Sequence, residues 1–508
     1  MNVGDQHSRS LWMNEAPAIE ARALAADEAC DVVVIGSGIA GLSTAYELAR
    51  FGRDVVVIDR GGIGTGMTAR TTAHLVSALD DFYSELIRVR GEDEARLYHD
   101  SQVAAINRIE AICRDESIDC EFRRLDGYLV PSEEGGVAEL QEEYEACRKL
   151  GVEVEWADRA PLADFDTGRC LRFLNQGRFH PTRYLAGLAR AIAQRGGRFY
   201  ADTAYVDHDE EDGGVTIVTE AGPKIRARHA VFATNSPVND LVALHTKLLP
   251  NRTYAIAAPV PKGSVPDILM WDTYEVYHYV RLAELDDARD WLIVGGEDHR
   301  AGQASDMDAR FAAIADWTRK RFPGFGKVEH SWSGQVLEPI DFMPYSGRNP
   351  GDTNVYVHTG DSGQGITNGV AGSLTILPLI IGEDSRYAPV LDPSRKSFAR
   401  PAAKEFVVGQ AGVVANLAEH FGPGQLSSAD ELGPGEGGIV REGVHKLAVY
   451  KTPEGEVVRR SAVCTHMGCV VHWNRFEKCW DCPCHGSQFS PDGEVMNGPA
   501  LKPLAKVD

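Results

Sequence analysis

The feature that most constrains this chain is a dense group of cysteines and histidines near its C-terminus. Of the ten cysteines, five lie between positions 464 and 484. Cys464 and His466 form a C-x-H pair, and Cys482 and His485 form a C-x-x-H pair after a gap of fifteen residues. Two thiolates and two imidazoles suit a [2Fe–2S] cluster with one pair on each iron, and a tetrahedral zinc ion accepts the same four ligands. The spacing therefore predicts a metal centre in a C-terminal domain.

The residues around the four candidate ligands favour one of the two metals. They read Cys464-Thr-His466-Met-Gly-Cys469 and Cys482-Pro-Cys484-His485-Gly-Ser487. Both halves resemble, almost letter for letter, the fingerprint of the Rieske domains of cytochrome bc complexes and related proteins. This resemblance favours the [2Fe–2S] cluster over zinc. A cluster that feeds a mononuclear iron is disfavoured, because such an iron typically takes a close histidine pair and no two of the sixteen histidines are four or five positions apart.

Further roles follow from the Rieske resemblance. It implies one iron on Cys464 and Cys482, the other iron on His466 and His485, and a disulfide between Cys469 and Cys484. Ser487 matches a serine whose hydroxyl bonds a bridging sulfide. Phe489 stands where high-potential members have a tyrosine, so we expect a lower reduction potential within the broad Rieske range. Cys479 matches no ligand position, and we expect it to be structural.

A second motif lies near the start of the chain. Asp31 to Ile35 predicts a buried strand, Gly36-Ser-Gly38-Ile39-Ala40-Gly41 follows as a tight turn, and Leu42 to Phe51 predicts a helix. A second predicted strand, Asp54 to Ile58, ends just before Asp59. In such a β-α-β unit the glycines permit the turn and the approach of a pyrophosphate, and the acid accepts hydrogen bonds from ribose hydroxyls. The motif therefore predicts a dinucleotide site on a parallel sheet.

Residues 30–382 resemble the D-amino-acid-oxidase-like flavoproteins, which include glycine, sarcosine and γ-glutamylputrescine oxidases. Besides the glycine motif, the resemblance rests on Gly64-Thr-Gly-Met-Thr-Ala-Arg70-Thr71-Thr72-Ala-His74, Ala230-Val-Phe-Ala233-Thr234-Asn235, Trp332-Ser-Gly-Gln-Val-Leu-Glu-Pro-Ile-Asp341-Phe-Met-Pro344 and Thr359-Gly360-Asp361-Ser-Gly363-Gln364-Gly365. It implies FAD as the dinucleotide. The FAD-binding residues implied in this way are Gly36, Gly38, Ile39, Ala40, Gly41, Asp59, Arg60, Arg70, Thr71, Thr72, His74, Val206, Ala233, Thr234, Gly360, Asp361, Gly363, Gln364 and Gly365.

Two of these segments carry more specific expectations. In the family the last segment leads a helix whose N-terminus faces the flavin ring, so amides near Gly363 to Gly365 would stabilise negative charge on the reduced flavin. Some relatives tether their flavin through a histidine in the segment that holds His74. The residues around His74 do not closely match those members, so we expect His74 to pack or hydrogen-bond rather than to bind FAD covalently.

Candidate substrate-binding residues lie in the segment Tyr274-Glu-Val-Tyr277-His278-Tyr279-Val-Arg281. Strand alternation places Tyr277, Tyr279 and Arg281 on one face and His278 on the other. An aromatic wall that ends in a guanidinium could hold a substrate carboxylate through a bidentate pair, as tyrosines and an arginine do in amino-acid-oxidising relatives. An equally good interpretation is aromatic core packing with a surface ion pair.

The chain divides into four segments. We expect an irregular N-terminal arm over 1–29, the FAD-dependent oxidoreductase over 30–382, a linker over 383–428 with a docking helix from Lys404 to Phe421, and the Rieske domain over 429–508. Helical patterns run to about Lys149 and include the acidic, solvated stretch 139–145. The predicted fold is a Rossmann-type FAD-binding domain interleaved with an antiparallel-sheet substrate domain, followed by a Rieske β-sandwich.

The acidic balance excludes some classes of partner. Lys and Arg number 52 and Asp and Glu 74, for a formal net charge of −22. A chain this acidic repels a phosphate backbone unless it carries a concentrated basic patch, and the sequence shows none. The most apolar stretches, such as 374–381, are far shorter than the ~20 residues that cross a bilayer. We therefore expect neither a nucleic-acid partner nor an integral membrane segment.

The N-terminus and the remaining cysteines bear on location. Residues 1–11 lack an apolar run behind a positive start, and no twin-arginine pair precedes Asp31. We therefore expect a cytoplasmic protein, in which scattered cysteines act as small hydrophobic residues. These scattered cysteines are Cys30, Cys113, Cys120, Cys147 and Cys170.

Together the two motifs predict an FAD-dependent dehydrogenase of amines or amino acids. A hydride would leave the carbon next to nitrogen for flavin N5, and the cluster would pass single electrons to an external acceptor, either a one-electron carrier protein or a quinone pool. Water would hydrolyse the resulting imine. Two alternatives stay open: an oxygen-using amine oxidase with a structural or regulatory Rieske domain, and a non-enzymatic redox sensor or electron-transfer protein.

Overall fold

The computed structural model describes residues 2–507 except 16–17, 133–135, 212, 240–243, 397–415 and 417. The helices within this part are α1 (Ile39–Arg50), α2 (Tyr83–Arg90), α3 (Glu92–Asp115), α4 (Gly136–Leu150), α5 (Pro181–Gln194), α6 (Met307–Arg321), α7 (Gly365–Ile381) and α8 (Ala388–Leu391). In the described residues, no helix combines the length and the apolar character that a membrane crossing needs.

The strands form two large sheets and two small ones. Those of the large sheets are β1 (Glu28–Ile35), β2 (Val55–Ile58), β3 (His74–Leu75), β4 (Arg123–Val130), β5 (Val154–Ala157), β6 (Cys170–Arg178), β7 (Arg198–Tyr200), β8 (Tyr205–Glu211), β9 (Gly214–Thr219), β10 (Lys224–Phe232), β11 (Leu248–Pro261), β12 (Leu269–Asp272), β13 (His278–Glu284), β14 (Arg289–Arg300), β15 (His330–Pro339), β16 (Tyr345–Arg348) and β17 (Val355–Thr359). Those of the small sheets are β18 (Glu436–Glu442), β19 (His445–Lys451), β20 (Val457–Ser461), β21 (His472–Asn474), β22 (Cys479–Asp481), β23 (Gln488–Phe489) and β24 (Val495–Asn497).

The first sheet contains the predicted β-α-β unit. Its main order is β16-β17-β10-β1-β2-β7, and β1 is parallel to both β2 and β10. Val32 to Ile35 are buried on both faces because helices such as α1 and α7 pack against this part of the molecule. Burial on both faces explains why β1 reads as a continuous apolar run rather than an alternating one.

The second sheet is mainly antiparallel and has the order β15-β11-β14-β13-β12-β4-β6-β3. Its strands come from two stretches of the chain, β3 to β6 and β11 to β15, and strands of the first sheet lie before, between and after them. The two domains therefore interleave, which confirms the predicted architecture. The cofactor segments of the first sheet face side chains carried by β11, β13 and β15.

Two expectations for the first 150 residues were wrong. The continuous helical pattern is interrupted by β4, whose charged first half hid the strand but whose last residues are buried between β12 and β6. The acidic stretch 139–145 is not wholly solvated, because the Glu143 carboxylate is buried and accepts hydrogen bonds from the amides of Tyr83 and Ser84, both 2.9 Å away. Glu143 thus satisfies donors at the start of α2, where a negative charge is favourable.

The C-terminal unit consists of the antiparallel sheets β18-β19-β20 and β21-β22-β23-β24. Main-chain hydrogen bonds from Gln425 and Leu426 to Ile439 show that its contacts begin shortly before position 429. Most of the predicted docking helix, positions 404–415 and 417, lies outside the described residues. Its last part, Glu419–Phe421, is a 3-10 turn.

Buried ion pairs hold the C-terminal unit against the rest of the chain. Arg70 lies 3.1 Å from Glu477, and Arg252 on β11 lies 3.0 Å from both carboxylate oxygens of Asp481. The N-terminal arm joins this contact, since the Ser8 hydroxyl donates to Glu477 over 2.6 Å. The arm, predicted to be irregular, is therefore part of the interface between the two units.

Candidate active site

The glycine turn after β1 is shaped by close main-chain contacts. Gly36 has a φ of +100°, and a Cβ there would overlap the carbonyl oxygen of Ala233. A Cβ at Gly41 would overlap the carbonyl oxygen of Gly36. The turn therefore requires glycine at both positions, and α1 begins directly after Gly38 with its amide groups at the end of the parallel strands.

Asp59 at the end of β2 is held in place by neighbouring donors. One carboxylate oxygen accepts from the amide and the hydroxyl of Ser37, at 2.8 Å and 2.6 Å, and the other accepts from the Gly61 amide at 3.0 Å. Asp59 also lines the cavity described next. The carboxylate thus stands where the sequence predicted an acceptor for ribose hydroxyls.

A cavity of about 530 Å³ runs from this turn to the second sheet. The predicted FAD residues that line it are Gly36, Gly38, Ile39, Ala40, Asp59, Arg60, Arg70, Thr71, Thr72, His74, Ala233, Thr234, Asp361, Gly363, Gln364 and Gly365. Three others do not line it. Gly41 lies where α1 packs closely against the turn after β1, and Gly360 forms a turn with a φ of +79°. Val206 does not line the cavity, whereas its neighbour Tyr205 does.

These residues fit an FAD. The amide groups at the start of α1 and a wall without side chain at Gly38 suit a pyrophosphate. At the far end of the cavity, α7 begins at Gly365, after Gly363 with φ +76°, so a helix N-terminus points its unsatisfied amides toward the lining. Such donors stabilise a negative charge, as the flavin ring carries after reduction.

His74 lies on the cavity wall within a network of weak contacts. Its Nδ1 is 3.2 Å from the Thr72 hydroxyl, and its Nε2 is 3.3 Å from the Val280 carbonyl oxygen. Burial, with Arg281 nearby, lowers the pKa of His74 to about 3, so the ring is neutral. The ring also packs edge-on against Tyr279. These contacts support packing and hydrogen bonding as the role of His74.

The two predicted substrate-facing tyrosines reach the cavity. Tyr277 donates its hydroxyl to Asp298 over 3.0 Å, and the Tyr279 hydroxyl lies 2.8 Å from that of Thr253. Their ring centroids are 5.8 Å apart, and both residues line the cavity. His278 is directed elsewhere and stacks on Trp317. The aromatic wall expected from the sequence is therefore present.

The placement of Arg281 contradicts its assignment to substrate binding. Its guanidinium is buried, packs on the Trp12 ring and donates to the carbonyl oxygens of Thr72 and Phe179 at 3.0 and 3.1 Å. It does not line the large cavity. The segment that ends in β3 covers this part of β13, so Nε and one terminal nitrogen of Arg281 donate to main-chain oxygens rather than to a ligand.

Sequence reasoning missed a group of carboxylates in the cavity wall, namely Asp80, Asp81 and Glu338. Burial and the neighbouring acids Asp81, Asp298 and Glu338 raise the pKa of Asp80 to about 8. Burial and Glu338 likewise raise the pKa of Asp81 to about 7. Asp80 is enclosed by protein, yet its own surface is open to the cavity. The consecutive acids Asp80 and Asp81, shortly after the cofactor segment, were the available sequence signal.

In the C-terminal unit the four predicted ligands come together as two pairs. The Cys464 and Cys482 thiols hydrogen-bond to each other, and the rings of His466 and His485 lie 4.9 Å apart at 90°. Hydrogen bonding from Cys482 and from main-chain amides lowers the pKa of Cys464 to about 7. Cys469 and Cys484 form the predicted disulfide. Ser487 is buried with its hydroxyl directed at Cys464.

This donor set fits a [2Fe–2S] cluster better than a single ion. Among the described residues, no three His, Cys, Asp or Glu side chains converge as one metal ion requires. A thiol pair beside an imidazole pair is the arrangement that a binuclear cluster needs. Nδ1 of His485 is buried and has no hydrogen-bond partner within the described part of the chain. Such a nitrogen is available to coordinate iron.

The two candidate cofactor sites are in direct contact. Met496, Asn497 and Gly498 of the C-terminal unit line the large cavity, beside Gln335 of β15. Gln335 donates to the carbonyl oxygen of Gly486 over 2.7 Å and accepts from Asn497 over 2.6 Å. Gly486 follows the ligand His485 directly. One side chain thus connects the cavity wall to the loop that holds the cluster ligands.

Comparisons with known proteins agree with this geometry. The FAD dependent oxidoreductase family matches residues 31–376, and the Rieske [2Fe-2S] domain family matches residues 424–508. YhfW of Bacillus subtilis (strain 168), described as a Rieske 2Fe-2S iron-sulfur protein, is 31% identical over 505 residues, which cover 98% of this chain and 97% of that protein. γ-Glutamylputrescine oxidoreductase of Escherichia coli (strain K12) is 29% identical over 70% of this chain and 85% of its own. The crystal structure of glycine oxidase from Geobacillus kaustophilus has a TM-score of 0.60 at 18% identity, over 73% of this chain and 99% of that one.

Proposed function

This chain belongs to the FAD-dependent oxidoreductase family and carries a C-terminal Rieske [2Fe–2S] domain, and we propose that it is an amine or amino-acid dehydrogenase whose electrons leave through the Rieske cluster. Bound FAD supplies a two-electron acceptor for a hydride from the carbon next to nitrogen, and the cluster carries electrons one at a time to a carrier protein or quinone pool. The substrate loses two electrons and two protons and becomes an imine, which water hydrolyses. The relatives' names, glycine oxidase and γ-glutamylputrescine oxidoreductase, support a nitrogen-bearing substrate.

The observation that carries this proposal is the contact between cavity and cluster loop. Gln335 lines the cavity and donates to Gly486, the residue between the ligand His485 and Ser487. Residues of the Rieske domain themselves form part of the cavity wall. The buried ion pairs Arg70–Glu477 and Arg252–Asp481 fix the two domains in this arrangement. A domain that only adds stability would not need its ligand loop at the cofactor cavity.

The remaining side chains of the cavity bind and orient rather than react. Tyr277 and Tyr279 form a wall whose hydroxyls are already hydrogen-bonded, and neutral His74 packs behind Tyr279. The proposed chemistry depends on the flavin rather than on a side-chain nucleophile, so these residues position the substrate. The first turn of α7 contributes the amides that stabilise negative charge next to it.

The test uses the holoprotein and a Cys482→Ser variant, which removes one iron ligand. Under anaerobic conditions an amine substrate should still bleach the flavin of the variant at close to the parental rate, because the substrate step needs no iron. Turnover with a one-electron acceptor protein should collapse. Cys30→Ser, a cysteine in β1 far from the ligand loops, is the matched control and should behave as the parent. Circular dichroism must show that both variants are folded, since cluster loss can unfold a small domain.

A second variant leaves the cluster intact. Gln335→Leu removes the hydrogen bond to Gly486 and should slow cluster reduction several-fold after the flavin has been bleached at the parental rate. If the folded, cluster-free Cys482→Ser protein turns over with its acceptor as fast as the parent, the cluster is not the exit for electrons. Rapid peroxide formation in air with a silent cluster would instead identify an oxidase. Absence of bleaching by every amine would favour a redox sensor.

A further inference from the structure

Two consecutive carboxyl groups, Asp80 and Asp81, line the far end of the cavity. Asp81 accepts from the Ser362 hydroxyl at 3.0 Å, and Asp80 lies against Gly363 at the start of α7. Asp80 forms no hydrogen bond or ion pair with any described residue, and its carboxylate faces the cavity. Asp81, Asp298 and Glu338 surround it with like charge. A carboxyl group without a basic partner, open toward the ligand space, is stabilised in its ionised form by a cation that the ligand supplies.

The basic side chains in the cavity wall do not supply that cation. Arg70 is engaged by Glu477, Ser8 and the Ser333 carbonyl oxygen. Arg60 lies at the dinucleotide end, where Asp59 and Glu220 are its charged neighbours. His74 is neutral. Arg310 lies near Asp298 but does not line the cavity. It donates to main-chain oxygens and pairs with Asp306 and Glu297.

The wall beside these acids is aromatic. Tyr277 and Tyr279 reach the same end of the cavity, since Tyr277 donates to Asp298, which is a charged neighbour of Asp80. The faces of tyrosine rings attract alkylammonium groups, and their edges pack against methylene chains. Carboxylates together with tyrosines therefore suit a flexible aliphatic cation. At the cavity mouth, the exposed acids Glu139 and Glu275 add further negative charge to the wall.

Amine oxidation places different demands on the nitrogen that reacts and on any second nitrogen in the substrate. The nitrogen next to the reacting carbon must lose its proton before a hydride leaves, because its lone pair stabilises the developing imine. A carboxylate that holds an ammonium group favours its protonated form. The acids therefore cannot serve the reacting nitrogen well, and they fit a second nitrogen elsewhere in the substrate.

We infer that the substrate is a diamine or polyamine, whose distal ammonium group is held by Asp80, Asp81 and Glu338 while the other nitrogen reacts. This inference rests on the proposed function and specifies its substrate class. It also explains the position of Arg281, because a substrate without a carboxylate needs no guanidinium in the cavity. Among the described residues, no arginine or lysine lines the end of the cavity where these three acids lie.

The experiment compares two molecules of the same length that differ in one charge. 1,4-Diaminobutane and n-pentylamine are mixed anaerobically with the holoprotein in a stopped-flow instrument, and flavin bleaching gives a rate and an apparent Kd for each. Glycine and L-proline represent substrates with a carboxylate, and spermidine represents a longer cation. We expect 1,4-diaminobutane or spermidine to bind at least tenfold more tightly than n-pentylamine and to bleach the flavin faster than either amino acid.

Variants assign the preference to the acids. Asp80→Asn and Glu338→Gln keep size and hydrogen-bonding capacity but remove charge, and each should reduce the preference for the diamine at least fivefold. Asp384→Asn, an exposed acid outside the cavity, is the matched control and should leave the preference unchanged. Direct calorimetric titration with 1,4-diaminobutane provides a second readout that does not depend on turnover.

The outcomes separate this inference from the proposed function. If amino acids or n-pentylamine bleach the flavin as well as the diamines do, or if the Asp80→Asn and Glu338→Gln variants keep the preference, the diamine inference is wrong and the dehydrogenase proposal stands. If no compound bleaches the flavin, the dehydrogenase proposal fails. In that case the cation site would still be supported if calorimetry showed that the parent protein binds 1,4-diaminobutane and that Asp80→Asn does not. If the parent protein did not bind the diamine, the cation site would be overturned.

Discussion

Two groups of carboxylates lie at functionally placed surfaces inside the fold, the domain interface and the cavity wall, and they differ in the charges of their neighbours. Glu477 and Asp481, in the Rieske domain, meet arginines of the FAD-dependent domain at about 3 Å. Asp80, Asp81 and Glu338, in the cavity wall, face one another across space that a ligand can enter. Glu477 and Asp481 are buried, whereas Asp80 is open to the cavity and Asp81 and Glu338 are partly buried.

The pKa of Glu477 is lowered and the pKa of Asp80 is raised, and the charges of the neighbouring side chains account for the difference. Burial works against ionisation of Glu477, but Arg70 and Arg252 outweigh it and lower the pKa of that carboxyl. Burial also works against ionisation of Asp80, and its acidic neighbours add to the effect. A buried acid with its own arginine holds two domains together, whereas a buried acid without one is available to a ligand.

The largest effect is expected from Arg252→Met. This change leaves Asp481 buried without its cation, which should lower the free energy of unfolding of the docked domains by roughly 3–5 kcal/mol. Denaturant unfolding followed by cluster absorbance measures it. Arg289→Met, which breaks an exposed pair with Asp286, is the control and should leave the transition nearly unchanged. An Arg252→Met protein as stable as the parent would show that the interface pairs do not hold the domains.

The next effect concerns the cavity acids and pH. The pKa values of Asp80 and Asp81 are raised to about 8 and about 7, mainly by burial, with Asp298, Glu338 and the Tyr277 hydroxyl nearby. Both acids are protonated at low pH and ionise as pH rises. The Kd for 1,4-diaminobutane should therefore fall by about tenfold between pH 6.5 and 8.5, where the ligand keeps its charge.

The control for this pH dependence is Asp80→Asn, which should flatten the profile by removing the ionisation with the higher pKa. Stopped-flow measurements at constant ionic strength provide the Kd at each pH. A profile that rises with pH, or one that keeps its full slope in Asp80→Asn, would contradict the role of the cavity acids.

A smaller effect is expected from Ser487→Ala in the Rieske domain. The Ser487 hydroxyl is directed at the Cys464 sulfur, and a hydrogen bond there favours the more negative, reduced cluster. Its loss should lower the reduction potential by roughly 50 mV, as expected for one hydrogen bond on a one-electron couple. Protein-film voltammetry measures this, with Ser490→Ala as the control because Ser490 bonds to Glu494 instead. An unchanged potential would make Ser487 purely structural.

The smallest effect is expected at the cavity mouth. Glu275→Gln removes an exposed charge that can attract a cation but does not hold it. The association rate of 1,4-diaminobutane should fall about twofold at low salt, and the difference should vanish at high salt because mobile ions screen exposed charges. A loss as large as that of Asp80→Asn would mean that the binding site lies at the mouth rather than among the enclosed acids.

The parts of this protein that were predictable share one property, which is short separation along the chain. The cluster ligands occupy two short loops, and Gly36, Gly38 and Gly41 act within a single turn, so their spacing indicated a metal centre and a dinucleotide site. Strand alternation likewise brought Tyr277 and Tyr279 to the cavity. It failed for Arg281, because a segment more than two hundred positions earlier covers that end of β13 and accepts hydrogen bonds from its guanidinium.

Local spacing in the amino-acid sequence indicated a metal centre and a dinucleotide site, and the resemblance of the surrounding motifs to two known families supplied both cofactor types, the disulfide and the interleaved fold. Only the tertiary structure decided that Gln335 connects the flavin cavity to the cluster loop and that Asp80 faces that cavity without a cation. Both facts depend on which distant segments meet and which charges remain unpaired after they meet. Whether a charged side chain has a partner of opposite charge depends on its neighbours in space, and a local sequence pattern does not reveal those neighbours.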